Sequence, residues 1–199
     1  MDGLADDRLG HRQSSEAELR DLILRWQEQL VIWARNGQLT QAARVALNLP
    51  DPHPALEAWM ARIAGADLQE LPPIQPLTWE EMEGCACAYA PERQLILINQ
   101  EWLENAVAEQ VFAVLTEQLG HHLDGLFNQV DTPGDEGERF LDVLRCGEGG
   151  AAGLDPFAEE EPHGVVHLHG DTIAVEEAGV GAICLDLRDL IHPSDPPPA

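Results

Sequence analysis

A strand-like run, Leu95-Ile-Leu-Ile-Asn99, leads straight into residues 100–127, where apolar side chains recur at helical spacing and read as one or two helices ending near Asn128. That succession places a long helix beside a sheet edge. At 100° per residue, Glu117, His121, Asp124 and Asn128 fall within roughly 60° of one another, while Ala108, Phe112, Leu115, Leu119, His122 and Leu126 fall on the opposite side. One helix therefore offers a core stripe and a polar stripe. A glutamate and a histidine four residues apart on one helix can hold a cation between them, which makes Glu117 and His121 candidate metal ligands. The bland alternative is a wet helix face that carries a carboxylate and an imidazole. His122, on the core stripe, is expected to be a packed histidine with a satisfied nitrogen.

The 199 residues are enough for a real core, and the length favours one domain of moderate size with an appended piece. Eleven basic residues against 36 acidic ones give a formal charge of −25, so phosphate backbones and anionic membrane surfaces are repelled. Nucleic acid is excluded as a partner on this ground. No run approaches the roughly 18 apolar residues of a membrane span, and the first residues do not form a cleavable signal. Acidity of this degree suits cation association, a high-salt setting or a secreted protein.

Residues 1–15 are polar and uneven and read as a flexible arm. A helical region over 16–70 follows: Leu19, Leu22, Ile23, Trp26, Leu30, Ile32 and Trp33 repeat at helical spacing up to an Asn36-Gly37 stop. Two shorter helices are expected over 39–47 and 55–63, the second after the Pro52-His53-Pro54 breaker. Trp26, Trp33 and Trp59 are expected to pack this part. Residues 71–146 form an α+β core with strands over 84–90 and 94–99, the long helix, a carboxylate-dense turn at 131–138 and a short helix at 140–144. A Gly-rich acidic linker occupies 147–163. A C-terminal β-hairpin region at 164–192 is signalled by alternation on either side of Gly170-Asp171, and a disordered tail over 193–199 ends the chain. The fold class is α+β, with an N-terminal helical region, a small mixed sheet and a C-terminal hairpin.

Other groupings carry less chemistry. Cys85 and Cys87 share a strand face without zinc-ribbon spacing, so with Cys146 and Cys184 they read as free thiols, with a disulfide or metal ligation as alternatives. His167 and His169 share a strand face and lack a third donor nearby in sequence. Asp131, Asp135, Glu136 and Glu138 could bind calcium, although the loop lacks EF-hand spacing. No nucleophile elbow, P-loop or dinucleotide fingerprint accompanies a strand.

The segment Leu115-Thr-Glu-Gln-Leu-Gly-His-His-Leu-Asp-Gly125 resembles the active-site helix of zincin metallopeptidases, particularly the H-E-x-G-H-x-L-G helix of the matrixin-like branch. Gly120, His121 and Leu123 match its glycine, second histidine and leucine. Glu117 stands at the first zinc histidine and Gln118 at the catalytic glutamate. The combination of I-L-I-N-Q-E-W-L, L-T-E-Q-L-G-H-H-L-D and D-T-P-G-D-E-G-E also resembles domains near the start of large, acidic, secreted cyanobacterial proteins. The first resemblance implies a zincin-like central helix, metal-dependent hydrolysis of a peptide or protein substrate, and catalytic roles at Glu117 and Gln118. An amide orients water but cannot titrate, so hydrolysis is expected to be weak or absent unless another carboxylate substitutes.

These readings give a metallopeptidase-like domain that binds one divalent cation through Glu117 and His121, completed by Asp124, Asp135 or Glu136. Zinc is the first candidate; the carboxylates also admit manganese, iron or calcium. The setting expected is extracellular or cell-surface, with the cytoplasm as the alternative. The rival function is a non-catalytic secreted or surface module whose acidic loop is structural or binds calcium.

Overall fold

Periodicity of 3.6 in the first third gives three helices, α1 (Gly3–Arg35), α2 (Gln38–Ala46) and α3 (Pro54–Ala64), in a computed structural model that describes residues 3–130, 132–146 and 163–178, with side chains from residue 17 onward. Helix α1 reaches back to Gly3 through the segment expected to be an arm. Trp26, Trp33 and Trp59 lie in the core as expected. Pro54 opens α3, where its missing N–H costs nothing, and His53 Nδ1 caps the helix by accepting the Leu56 N–H at 3.1 Å.

Five short strands form one mixed sheet: β1 (Ile74–Leu77), β2 (Cys87–Ala90), β3 (Leu95–Asn99), β4 (His163–Leu168) and β5 (Asp171–Glu177). Their order is β1-β3-β2-β5-β4, with β1 and β3 parallel and the other pairs antiparallel. Strand β2 is shorter than the 84–90 expected, and Cys85 precedes it. Successive side chains divide between two cores. Cys87, Tyr89, Ile96 and Ile98 face the helices, while Ala88, Ala90 and Leu97 join Val166, Leu168, Ile173 and Val175 on the other face. His169 and Gly170, both left-handed at φ 55 and 92, make the two-residue turn of the β4–β5 hairpin.

Asn99 ends β3 and caps the short α4 (Gln100–Leu103) by accepting the Trp102 N–H at 3.1 Å. Helix α5 (Ala108–Phe127) then crosses the helix-facing side of the sheet, and α6 (Glu136–Cys146) packs against it. Trp26 Nε1 donates to Thr116 Oγ1 at 3.1 Å and ties α1 to α5. The six α-helices and the mixed sheet make an α+β fold among the described residues.

The bland alternative for α5, a wet helix face, does not hold. Every residue from Val111 to Asp124 is buried, so the Glu117–His121 stripe is not a wet face. Helix α6 covers it, through two glycines. A Cβ on Gly120 would lie 2.8 Å from Gly137 Cα, and one on Gly137 would collide with the His121 ring and the Glu117 carbonyl oxygen. Only bare backbone lets the two helices approach this closely. Among the described residues, no helix is long and apolar enough to cross a membrane. Residues 147–162 and 179–199 lie outside the description, and with them most of the expected linker, the end of the hairpin region, the tail and Cys184.

Candidate metal centre

Two elements deliver the centre's first donors. Glu117 and His121 sit one turn apart on α5, and after eight intervening residues the chain returns to begin α6 directly over them. Asp135 is the N-cap of α6: its Oδ1 accepts the Glu138 N–H at 2.7 Å, and its carbonyl receives the Arg139 N–H at 3.1 Å. The acidic turn is thus a helix start, which fixes Asp135 and Glu136 against α5. Glu117, His121 and Asp135 each offer a ligand atom within 4.8 Å of the others, and all three are buried. This group could hold a metal ion.

The imidazole is held from both edges. Nδ1 lies 2.7 Å from Glu136 Oε1 and 3.2 Å from Glu176 Oε2, while Nε2 faces Asp135 Oδ1 at 3.7 Å and makes no hydrogen bond. His121, Glu136 and Glu176 form a second group of converging donors. Burial alone would pull the imidazole pKa down, but the Glu136 hydrogen bond and the charges of Glu136, Glu176 and Asp135 outweigh it and hold the pKa up to about 10. At neutral pH His121 is then an imidazolium whose Nδ1–H donates to Glu136. Four carboxyl groups, those of Glu117, Asp135, Glu136 and Glu176, each offer an oxygen within 4.8 Å of a nitrogen of this one ring.

Glu176 is absent from the sequence-based set. It comes from the hairpin, and the register explains how it arrives: Glu176 pairs with Tyr89 across β2–β5, so both side chains stand on the helix-facing side of the sheet. Only the pairing of β5 with β2 shows this, and no local pattern in the sequence announces it.

The other expected residues fall differently. Asp124 is not among the converging groups. Its carboxylate accepts the Asn128 amide at 2.7 Å, the Thr132 N–H at 3.2 Å and the Thr132 hydroxyl, and so pins the turn after α5. Gln118 is fully buried and neither of its amide atoms has a hydrogen-bond partner. His122 is the packed histidine expected: burial lowers its pKa, its Nε2–H donates to the Glu70 carbonyl at 3.3 Å, and its Nδ1 accepts from Tyr89 Oη at 2.9 Å. His167 pairs with Glu83 at 2.8 Å, and His169 lies in the hairpin turn; neither belongs to a metal-type cluster among the described residues. Cys85, Cys87 and Cys146 are free thiols. Burial pushes Cys85 up to about 12 and Cys87 well above its ordinary value, so both stay protonated at neutral pH.

A cavity of about 350 Å³ adjoins the centre, lined by His121, Glu176, Tyr89, Gln94 and Asp124 among others; neither Glu117 nor Gln118 is on its wall. The imidazole thus separates a buried pole, with Glu117 and Asp135, from an accessible pole beside Glu176. No protein-family model, curated protein or solved structure matches the chain.

Proposed function

We propose that this domain binds one divalent cation between Glu117, His121 Nε2 and Asp135, in a metallopeptidase-like layout with weak or absent peptide hydrolysis. The observation that carries the reading is the convergence of three buried donors from α5 and the start of α6 within 4.8 Å of one another. Glu136, accepting from Nδ1, supports it as the carboxylate that orients a metal-bound histidine and makes it a better donor. One imidazole nitrogen favours zinc, manganese or iron over calcium, which takes oxygen ligands; zinc is the first candidate. A cation here would lower the pKa of a bound water. The chain's own residues would have to move the proton, and Gln118 cannot. An extracellular or cell-surface setting goes with the acidic composition.

One observation favours a second reading, in which the cation is structural and nothing is hydrolysed: Glu117 and Gln118 are fully buried and off the cavity wall. Both readings share the same first test. Metal analysis of protein purified without chelator should find one equivalent of a divalent ion. At a free concentration a hundred times Kd the ion should add about 2.7 kcal/mol, or about 5–11 °C in Tm. His121→Ala should abolish that increment. Equal melting of wild type and variant, with and without metal, would remove the site.

Hydrolysis separates the readings. A titrating base contributes about a hundred- to ten-thousandfold in rate, so Gln118→Glu should raise metal-dependent cleavage of a peptide library by that order if the peptidase layout is real. The gain should vanish when His121→Ala is added. A metal-loaded Gln118→Glu variant that cleaves nothing leaves the structural reading in place.

A further inference from the structure

We propose that Glu176 makes the C-terminal hairpin part of the cation centre, so that cation binding clasps the β4–β5 hairpin onto the helical body. The proposal rests on the cation reading above and extends it to an element 40 residues beyond the expected ligands.

The hairpin has a strong internal ladder and a weak external one. Strands β4 and β5 pair over six residues, whereas β5 meets β2 only through Ala88↔Glu177 and Tyr89↔Glu176. Beyond that two-residue ladder, backbone attachment comes from the His167 N–H to the Glu81 carbonyl at 2.7 Å and the Ala178 N–H to the Cys87 carbonyl at 2.9 Å. Val166, Leu168, Ile173 and Val175 add an apolar contact on the far face of the sheet. On the near face Glu176 reaches His121 at 3.2 Å, in the group it forms with Glu136. Glu176 also lines the cavity, so the hairpin closes one side of the centre.

The same geometry gives the clasp its sign. Glu176 and Glu136 share one edge of the His121 ring, their oxygens 3.2 and 2.7 Å from Nδ1, so two carboxylates crowd one nitrogen. A divalent cation at the other edge of the ring puts positive charge behind that nitrogen, and the penalty for pressing Glu176 against Glu136 falls. Detaching the hairpin takes the Glu176 charge away from the cation, so the closed hairpin binds the ion more tightly than the open one. By linkage, once the ion saturates the site, hairpin opening is suppressed by the ratio of the two affinities.

The test is amide hydrogen exchange of the full chain, with Zn²⁺, Mn²⁺ or Ca²⁺ supplied alone and with chelator. With the site saturated, exchange over residues 163–178 should slow by about 5- to 150-fold, the usual range of such couplings. Glu176→Gln should lose that hairpin protection while still binding an ion and still protecting α5. Glu83→Gln, which breaks the hairpin's pairing with His167 away from the centre, should loosen the hairpin with and without cation and keep the cation-dependent increment. The clasp is overturned if one ion binds and protects α5 while the wild-type hairpin exchanges at one rate throughout. It is overturned equally if Glu176→Gln keeps the increment. An absence of any bound ion takes away the cation reading itself, and the clasp with it.

Discussion

His121 is the residue on which the candidate centre turns, because a cation held there would compete with a proton for the same Nε2. Its pKa is raised from 6.5 to about 10, so in the metal-free chain the charged ring contributes stability that is fully present below pH 6.5 and is lost as pH rises through about 10. Metal binding must expel that proton, and apparent affinity should therefore climb by about tenfold per pH unit between 7 and 9. Titrations at pH 7, 8 and 9 check this directly. A flat profile would mean that the ion does not take the imidazole nitrogen. The i, i+4 spacing of Glu117 and His121 was legible from the sequence, and so was the pull of the acidic turn toward them. The place of Asp124 was not, because spacing cannot tell a ligand from a carboxylate that Asn128 and Thr132 occupy.

At the scale of elements, local periodicity found the helices in outline and the hairpin, and left open how α5 is buried. A polar stripe on one helix reads as solvent-facing unless something covers it, and the cover here is α6. The signal lay in Gly120 and Gly137, residues that look permissive in sequence and prove to be a contact between backbones. Their effect is more than spatial. Pressing α6 onto α5 buries the first turn of α6, where the helix N-terminus and the Asp135 cap hold acidic groups in place. Glu176 was hidden for a different reason. Pairing β5 with β2 brings together residues 87 positions apart, and nothing in either strand specifies that partner.

The whole molecule adds a field to these local contacts, and it decides how any cation experiment must be run. A formal charge of −25 on 199 residues repels itself, and simple salt should relieve this. Between 0.01 and 0.15 M NaCl the Debye length falls from about 30 to about 8 Å, so Tm should rise by several degrees in wild type and in His121→Ala alike. At low ionic strength a divalent ion would do the same by screening, and a rise in Tm would say nothing about the centre. Above about 0.15 M that contribution is largely spent. Micromolar divalent ion should then raise Tm in wild type alone, because the buried donors on α5 and α6 are screened far less than the surface. If His121→Ala gains as much as wild type at 0.15 M NaCl, the stabilisation belongs to the acidic surface and not to Glu117, His121 and Asp135.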